Sequence, residues 1–114
     1  MSTKSELQKV TLEVVRDAAL RQWPVNDFPT LESYVTQKND GKTLPPIGDF
    51  QFADQADKET FEEIFWDLFL DKILTITQLP DPFAPQLAKG AFPRFRLHSE
   101  GMQKIEAELA GSQG

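Results

Sequence analysis

The chain contains no cysteine, so disulfide bonds and thiolate metal sites are excluded and a reducing compartment suits it. Its single histidine is too few for a histidine-based zinc centre. No stretch approaches the roughly 20 apolar residues that a membrane span needs. The first residues also lack the basic and then apolar segments of a leader. From these absences we expect a cytoplasmic protein that does not enter a membrane.

Basic residues are also scarce, with 12 Lys and Arg against 18 Asp and Glu and a formal net charge of −6. Generic nucleic-acid binding needs clustered Lys and Arg to neutralise phosphates, so the overall balance argues against it. The charge is uneven, because residues 23–73 carry eleven acidic and four basic side chains. Residues 74–98 carry one acidic and three basic side chains, so the sequence is compatible with a local basic patch in this segment.

Helical spacing of apolar residues dominates what is present. The 114 residues, 39% of them hydrophobic, suit one domain over 1–114, without an internal repeat or a dividing linker. Thr3 and Glu6 have the spacing of a capping box, and the helix after them carries two apolar stripes that predict contact with more than one neighbour. The predicted helices are a long N-terminal helix at 4–22, a short helix at 31–38, a central helix at 57–72 and a C-terminal helix at 100–110.

The central helix is predicted to have two different faces. Its apolar residues recur at helical spacing and predict a buried face; they are Phe61, Ile64, Phe65, Leu68 and Phe69. On the other side Glu59, Glu63 and Asp67 form an acidic stripe. We interpret this stripe as a solvated face in preference to a divalent-cation site, and predict no metal and no cofactor.

A β-hairpin is predicted over residues 73–98. Its first strand begins with a β-branched run at Ile73, and its second strand alternates over residues 93–98. The proline-containing segment 78–92 between them is predicted to be a long hairpin tip. His98 is predicted to close the turn into the last helix, with Ser99 as that helix's cap.

The connection before the central helix has little periodicity. Ile47, Phe50 and Phe52 are predicted to hold it against the core, and residues 50–52 are a candidate short strand. Asp54 or Asp57 is predicted to cap the helix that follows.

Two stretches carry a family resemblance. The central helix and first strand have the sequence Phe61-x-x-Ile-Phe-Trp-x-Leu-Phe-Leu-Asp-Lys-Ile-Leu, and the second strand and turn have Phe95-Arg-Leu-His-Ser-Glu-Gly101. Over residues 57–110 the chain resembles the second half of a winged-helix domain, whose wing ends in an aromatic-x-Leu-Thr-x-x-Gly turn. The resemblance implies an α+β, mainly helical fold with a two- or three-stranded antiparallel β-hairpin wing. Such regulators usually carry Gly at the position of Lys72.

Trp66 and Leu70 are one helical turn apart and lie outside the arc of the predicted buried face. Either they pack on the N-terminal helix, or they form an exposed apolar patch for a partner. Together with Glu63 and Asp67 they are the candidate partner-binding residues, since aromatic residues are enriched at interface hot spots. The predicted partner is another protein or a second copy of the chain.

Lys89, Arg94 and Arg96 are the candidate phosphate contacts of the wing. Arg94 and Arg96 are two residues apart in a strand and therefore point to the same face. They either contact a phosphate backbone or pair with the acidic stripe. A DNA-reading helix offers basic and amide side chains to the bases, so a central helix that offers carboxylates leaves nucleic acid to the wing.

No catalytic site is predicted. One histidine cannot be placed in a Ser-His-acid triad, and no glycine-rich phosphate loop is present. The sequence therefore predicts a non-catalytic, winged-helix-like protein-interaction or regulatory adaptor module. The alternative is a DNA-binding regulator that contacts DNA mainly through its wing.

Overall fold

The computed structural model of the protein describes residues 3–78 and 92–112. These residues form α1 (Lys4–Arg21), α2 (Phe28–Asn39), α3 (Gln55–Leu70), β1 (Leu74–Gln78), β2 (Arg94–Leu97) and α4 (Gly101–Ser112). The described chain is therefore an α+β, mainly helical domain with a two-stranded antiparallel hairpin, in a winged-helix-like layout.

Helix α1 is the element on which the other helices assemble. It begins after Thr3, whose Oγ1 accepts a hydrogen bond from the Glu6 N–H at 3.2 Å. Its apolar stripes are used on different sides, because α1 packs against α2, α3 and α4. The expected contact with more than one neighbour is confirmed, with Leu7 and Val14 among the fully buried side chains.

Helix α2 begins at Phe28, three residues before the predicted start, and its cap is Asp27 instead of Thr30. The Asp27 Oδ1 accepts a hydrogen bond from the Thr30 N–H at 3.0 Å. Pro29 is tolerated in the first turn, because the backbone N–H it lacks would have no partner inside the helix. The helix therefore starts before the proline, and the predicted start at residue 31 is wrong.

Helix α3 spans Gln55–Leu70, whereas the sequence predicted 57–72. Of the two candidate caps, Asp54 takes the role, since its Oδ1 accepts a hydrogen bond from the Ala56 N–H at 2.8 Å. The predicted inner face is buried at Phe61, Ile64, Phe65 and Leu68. Phe69 is only half-buried.

The chain passes from α3 into β1 through a left-handed residue, Lys72, with φ of 59°. The Lys72 N–H donates to the Phe69 C=O at 3.2 Å, and the Ile73 N–H donates to the Leu68 C=O at 2.9 Å. These two bonds form a Schellman ending, in which glycine is the usual left-handed residue. Glycine adopts this φ without a Cβ clash, whereas the Cβ of Lys72 is crowded there.

Replacing Lys72 by glycine should raise the stability of the domain. Relief of the left-handed Cβ clash outweighs the greater backbone freedom of glycine in the unfolded chain, so we expect a gain of about 0.5–1 kcal/mol in urea unfolding. Lys72→Ala is the matched control, because it removes the same charge and keeps a Cβ. An equal gain from alanine would assign the effect to charge.

Strands β1 and β2 pair in antiparallel orientation within the predicted wing, 73–98. The opposed residues are Leu74 and Leu97, Thr75 and Arg96, Ile76 and Phe95, and Gln78 and Arg94, with a bulge after Ile76. The Phe95 N–H also donates to the Asn26 C=O at 2.9 Å. The connector between α1 and α2 therefore adds one backbone bond beside the hairpin, although the sheet of the described residues has two strands. Residues 79–91 of the predicted tip, 78–92, lie outside the described residues.

His98 closes the turn from β2 into α4. Its Nδ1 accepts a hydrogen bond from the Glu100 N–H at 3.0 Å, and its C=O accepts one from the Gly101 N–H at 2.8 Å. Its own N–H donates to the Ile73 C=O at 2.8 Å, which ties the turn to the start of the hairpin. The expected turn-closing role of His98 is confirmed. The side chain that accepts the hydrogen bond from the Glu100 N–H is that of His98 and not that of Ser99, the predicted cap.

Polar side chains of α2 hold the connection between α2 and α3. The Ser33 Oγ donates to the Gly48 C=O and accepts from the Phe50 N–H, both at 3.0 Å. Ile47 is fully exposed, so the prediction that it holds this connection against the core is wrong. Residues 50–52 form no strand, because their backbone is bonded to side chains of α2 and not to a neighbouring strand.

Glu32 of α2 supplies the second fixing point, although its carboxylate is buried. Its Oε2 accepts a hydrogen bond from the Phe52 N–H at 3.2 Å and lies 3.7 Å from the Lys58 Nζ. The Phe52 ring lies 5.3 Å from the Phe61 ring, so Phe52 does pack on the core as predicted. The connection is thus fixed by a buried charge and one aromatic side chain.

Side chains from all four described helices and both strands meet in one hydrophobic core. Phe65 lies at its aromatic centre, with ring centroids at 5.0–5.7 Å from those of Phe28, Trp66, Phe69, Phe92 and Phe95. The core therefore connects α2, α3 and β2 through a single side chain.

Tyr34, the chain's only tyrosine, is buried on α2 with its ring 5.3 Å from that of Trp23. Burial raises the pKa of the Tyr34 phenol above its ordinary value, because the core disfavours the phenolate. The unfolded chain therefore loses this proton at lower pH than the folded chain, and the free energy of unfolding falls as pH rises through about 10. Phenolate absorbance should appear at higher pH in the native protein than in urea, and Tyr34→Phe should reduce the alkaline loss of stability. Coincident native and unfolded titrations would contradict this expectation.

Candidate functional site

One side of α3 carries three of the four candidate partner-binding residues. Glu59, Glu63, Trp66 and Leu70 are separated by four, three and four residues, so they follow one another along one side of the helix. They cover about 16 Å of the helix axis. We call these four residues the α3 stripe; its first half carries carboxylates and its second half carries apolar side chains.

The apolar half of the stripe is in contact with solvent. Leu70 is 80% exposed and Trp66 is 43% exposed. The Trp66 ring lies 5.4–5.9 Å from the rings of Phe65, Phe69 and Phe92, so one part of it rests on the aromatic core. The sequence left two arrangements open, packing on the N-terminal helix or exposure to a partner. Leu70 is exposed, whereas Trp66 contacts the aromatic core and is partly exposed.

The hairpin also carries an exposed large apolar side chain. Ile76 is half-exposed and lies opposite Phe95, so the two side chains share one face of the hairpin. The Phe95 ring lies 6.3 Å from the Phe69 ring, which places this face beside α3. Ile76 was not among the predicted site residues, although its spacing of two from the buried Leu74 places both side chains on the same face of the strand. Trp66, Leu70 and Ile76 are thus exposed large apolar side chains of α3 and of the hairpin.

A shallow depression lies at the acidic half of the stripe and is lined by Ala56, Glu59, Thr60, Glu62, Glu63 and Trp66. Gln55 Nε2 donates to Glu59 Oε1 at 3.3 Å. Glu62 and Glu63 form no ion pair with any residue that the structure describes. The only lysine of α3, Lys58, is directed to Glu32, so these carboxylates are not neutralised from within their own helix.

Asp67, predicted to belong to the acidic stripe, is directed elsewhere. Its Oδ2 lies 3.3 Å from the Lys4 Nζ at the start of α1. Glu62 takes the third acidic position instead, and its spacing of four residues from Trp66 was the signal that could have identified it. Over residues 3–78 and 92–112, no group of three or more His, Asp or Glu side chains is arranged to hold a metal ion.

Arg94 and Arg96 are both exposed on β2, on either side of the buried Phe95. Within the described part of the chain neither arginine pairs with a carboxylate, so the alternative in which they pair with the acidic stripe is not observed there. Arg96 Nη1 donates to the Leu97 C=O at 3.5 Å. Lys89, the third candidate phosphate contact, lies outside the described residues.

A second concave site, of about 170 Å³, lies between α1, the connector before α2 and the hairpin. Its walls are mainly apolar, and Asn26 and Arg96 are its polar residues. Neither this cavity nor the depression on α3 contains a histidine beside a nucleophile. The chain's single histidine, His98, is engaged in the turn before α4.

No helix within residues 3–78 and 92–112 combines the length and the apolar character needed to cross a membrane. Comparisons with protein-family models, with curated proteins and with solved structures found no match. The function is therefore inferred from the geometry of the α3 stripe and of the hairpin.

Proposed function

We propose that this chain is a non-catalytic, cytoplasmic protein-interaction or regulatory adaptor module of the winged-helix superfamily. In this proposal a protein partner binds the α3 stripe, with Trp66 and Leu70 as its apolar contacts. The observation that carries the proposal is the exposure of Leu70 at 80% beside a half-exposed tryptophan. The layout of the helices and hairpin, with the Phe95–Gly101 turn, supports the superfamily assignment.

The energetics favour a partner at this surface. Covering an exposed leucine side chain contributes about 1.5–3 kcal/mol through the hydrophobic effect. Trp66 and Leu70 lie on a helix whose other side is anchored in the core by Phe65 and Leu68, so little ordering is needed when a partner binds. Tryptophan in such a position is the residue type most enriched at interface hot spots.

Site-specific photo-crosslinking tests the proposal. A benzophenone amino acid in place of Leu70 should form light-dependent crosslinks to a protein in extracts of the source cells. The same amino acid in place of Glu108, an exposed residue of α4, is the matched control and should form none. Excess unmodified protein should suppress crosslinking, whereas excess Leu70→Ser protein should not. Absence of a crosslink at residue 70, or crosslinked material sensitive to nuclease, would contradict the proposal.

Arg94 and Arg96 are exposed on one face of β2 and pair with no carboxylate of residues 3–78 and 92–112. They support a second candidate, a DNA-binding regulator that contacts phosphates through its wing. Three wing cations, with Lys89, can neutralise about three phosphates. The carboxylates of α3 would repel the backbone if that helix entered a groove. This candidate therefore implies weak binding without base readout.

Binding of mixed-sequence duplex DNA should be weak, with a slope of log affinity against log salt no steeper than about −3. Arg94→Ala/Arg96→Ala should remove most of it in a fluorescence titration at two salt concentrations. Lys9→Ala/Lys42→Ala, which removes two exposed charges elsewhere, is the control and should retain binding. Tight binding that survives the arginine substitutions would place the DNA surface elsewhere.

A further inference from the structure

We infer that the partner of the α3 stripe is a basic amphipathic protein segment, with lysine or arginine side chains against Glu59, Glu62 and Glu63 and an apolar anchor against Trp66 and Leu70. This inference rests on the proposed function and adds the chemistry of the partner. It stands on the exposed apolar surface of α3 and on the charge beside it.

The geometry of the stripe sets the spacing of the partner's groups. Glu63 and Leu70 are seven residues apart on one side of α3, which corresponds to about 10 Å along the axis. A helical partner that lies along α3 would therefore carry its basic residues and its apolar anchor about two turns apart. Trp66 lies between the two halves and lines the acidic depression, so it can contact both groups.

The charge around the stripe requires a positively charged partner. Lys58 is directed to Glu32, and the Lys4 side chain is directed to Asp67, so neither of these lysines compensates Glu62 and Glu63. A lysine or arginine entering the depression would meet uncompensated carboxylates and could place its aliphatic stem or its charge on the Trp66 ring. An acidic segment would be repelled at the same place.

The same charge disfavours the two other occupants of this surface. In a two-fold dimer the same patch contacts itself, so the carboxylates of both copies would enter one interface that brings no cation of the stripe to pair with them. Nucleic acid would bring phosphates against these carboxylates. A second copy of the chain and a nucleic acid are therefore outcomes that the test must separate from a basic segment.

The test uses three synthetic helical peptides of about 14 residues, long enough to cover the stripe. The first carries lysines in one half and leucines in the other, the second has glutamate for each lysine, and the third has serine for each leucine. Calorimetry on the native chain should show binding of the lysine–leucine peptide. The glutamate peptide and the serine peptide should each bind at least about tenfold more weakly, a loss of about 1.4 kcal/mol. In Trp23→Phe protein, whose only tryptophan is Trp66, the first peptide should shift the emission to shorter wavelength.

Charge-matched variants show whether the attraction is local. Glu62→Gln/Glu63→Gln should weaken binding of the lysine–leucine peptide by at least about tenfold. Glu106→Gln/Glu108→Gln removes the same charge from exposed positions on α4 and should leave binding within about twofold. Equal losses in the two double variants would show unspecific attraction to an acidic protein and would overturn the inference.

The remaining outcomes separate this inference from the function on which it rests. If residue 70 crosslinks a protein that has no basic segment, or if the glutamate peptide binds best, the inference fails and the interaction module stands. If sedimentation shows a dimer that Leu70→Ser dissociates, the occupant is a second copy and the inference fails. If residue 70 crosslinks nothing and no peptide binds, both the inference and the proposed function fail.

Discussion

Phe65→Ala should lower the free energy of unfolding by about 3–5 kcal/mol, the usual cost of emptying a buried phenylalanine site. Phe65 is fully buried. Its ring lies close to the rings of Phe28 in α2, Phe69 in α3, Phe95 in β2 and Phe92 just before β2. Removal of the ring therefore leaves a cavity that no single element can close by shifting. Because a domain of this size is stable by about 5–15 kcal/mol, much of the protein should be unfolded at moderate urea concentrations.

Leu20→Ala is the control for this prediction. Leu20 is 68% exposed near the end of α1, so its truncation should change stability by no more than about 0.5 kcal/mol. Urea unfolding followed by circular dichroism gives both values. If the urea midpoint of Phe65→Ala differed from that of the parent as little as the midpoint of Leu20→Ala does, Phe65 would not be at the centre of the core.

Gly101→Ala should cost about 1–3 kcal/mol, although alanine is normally the better helix former. A Cβ at Gly101 would clash with the Ile73 backbone oxygen and would lie 2.7 Å from the Leu97 Cδ1. The first of these is a backbone atom that His98 already binds through its N–H. The clash can therefore be relieved only by moving α4 away from the hairpin, which would also weaken the turn that His98 closes.

Gly111→Ala is a control within the same helix. A Cβ at Gly111 meets nothing within 4 Å, so only helix propensity acts there, and stability should be unchanged or higher by up to about 1 kcal/mol. Thermal unfolding of the two variants beside the parent gives the comparison. A Gly101→Ala protein as stable as Gly111→Ala would show that α4 does not approach the backbone of residue 73 closely.

Helical spacing predicted the buried face of the central helix, whereas most features that depend on distant contacts could not be predicted. Phe61 and Phe65 recur at helical spacing, and burial follows directly from that spacing. Ile47 shows the limit, because apolar character alone does not say whether a residue of a connection meets the core. The bonds from Ser33 that fix this connection join residues 15 and 17 positions apart, which no periodicity reports.

The candidate site shows the same division. Helical spacing placed Trp66 and Leu70 outside the buried arc, but their exposure depends on which side of α3 is covered by α1. Asp67 has the spacing of a stripe residue and is removed from it by Lys4, whose position depends on the packing of α1 against α3. Prediction of the site therefore required the arrangement of helices that only the structure provides.

Helices α1 and α4, the first and the last of the described helices, pack against each other. Contacts between residues so distant in sequence form only after much of the intervening chain is ordered, and they slow folding relative to bundles of neighbouring helices. A chain that lacked α4 would leave one apolar flank of α1 in water, so a stable half-domain is not expected. The domain should therefore fold in one cooperative step, at a rate lower than its helical content alone suggests.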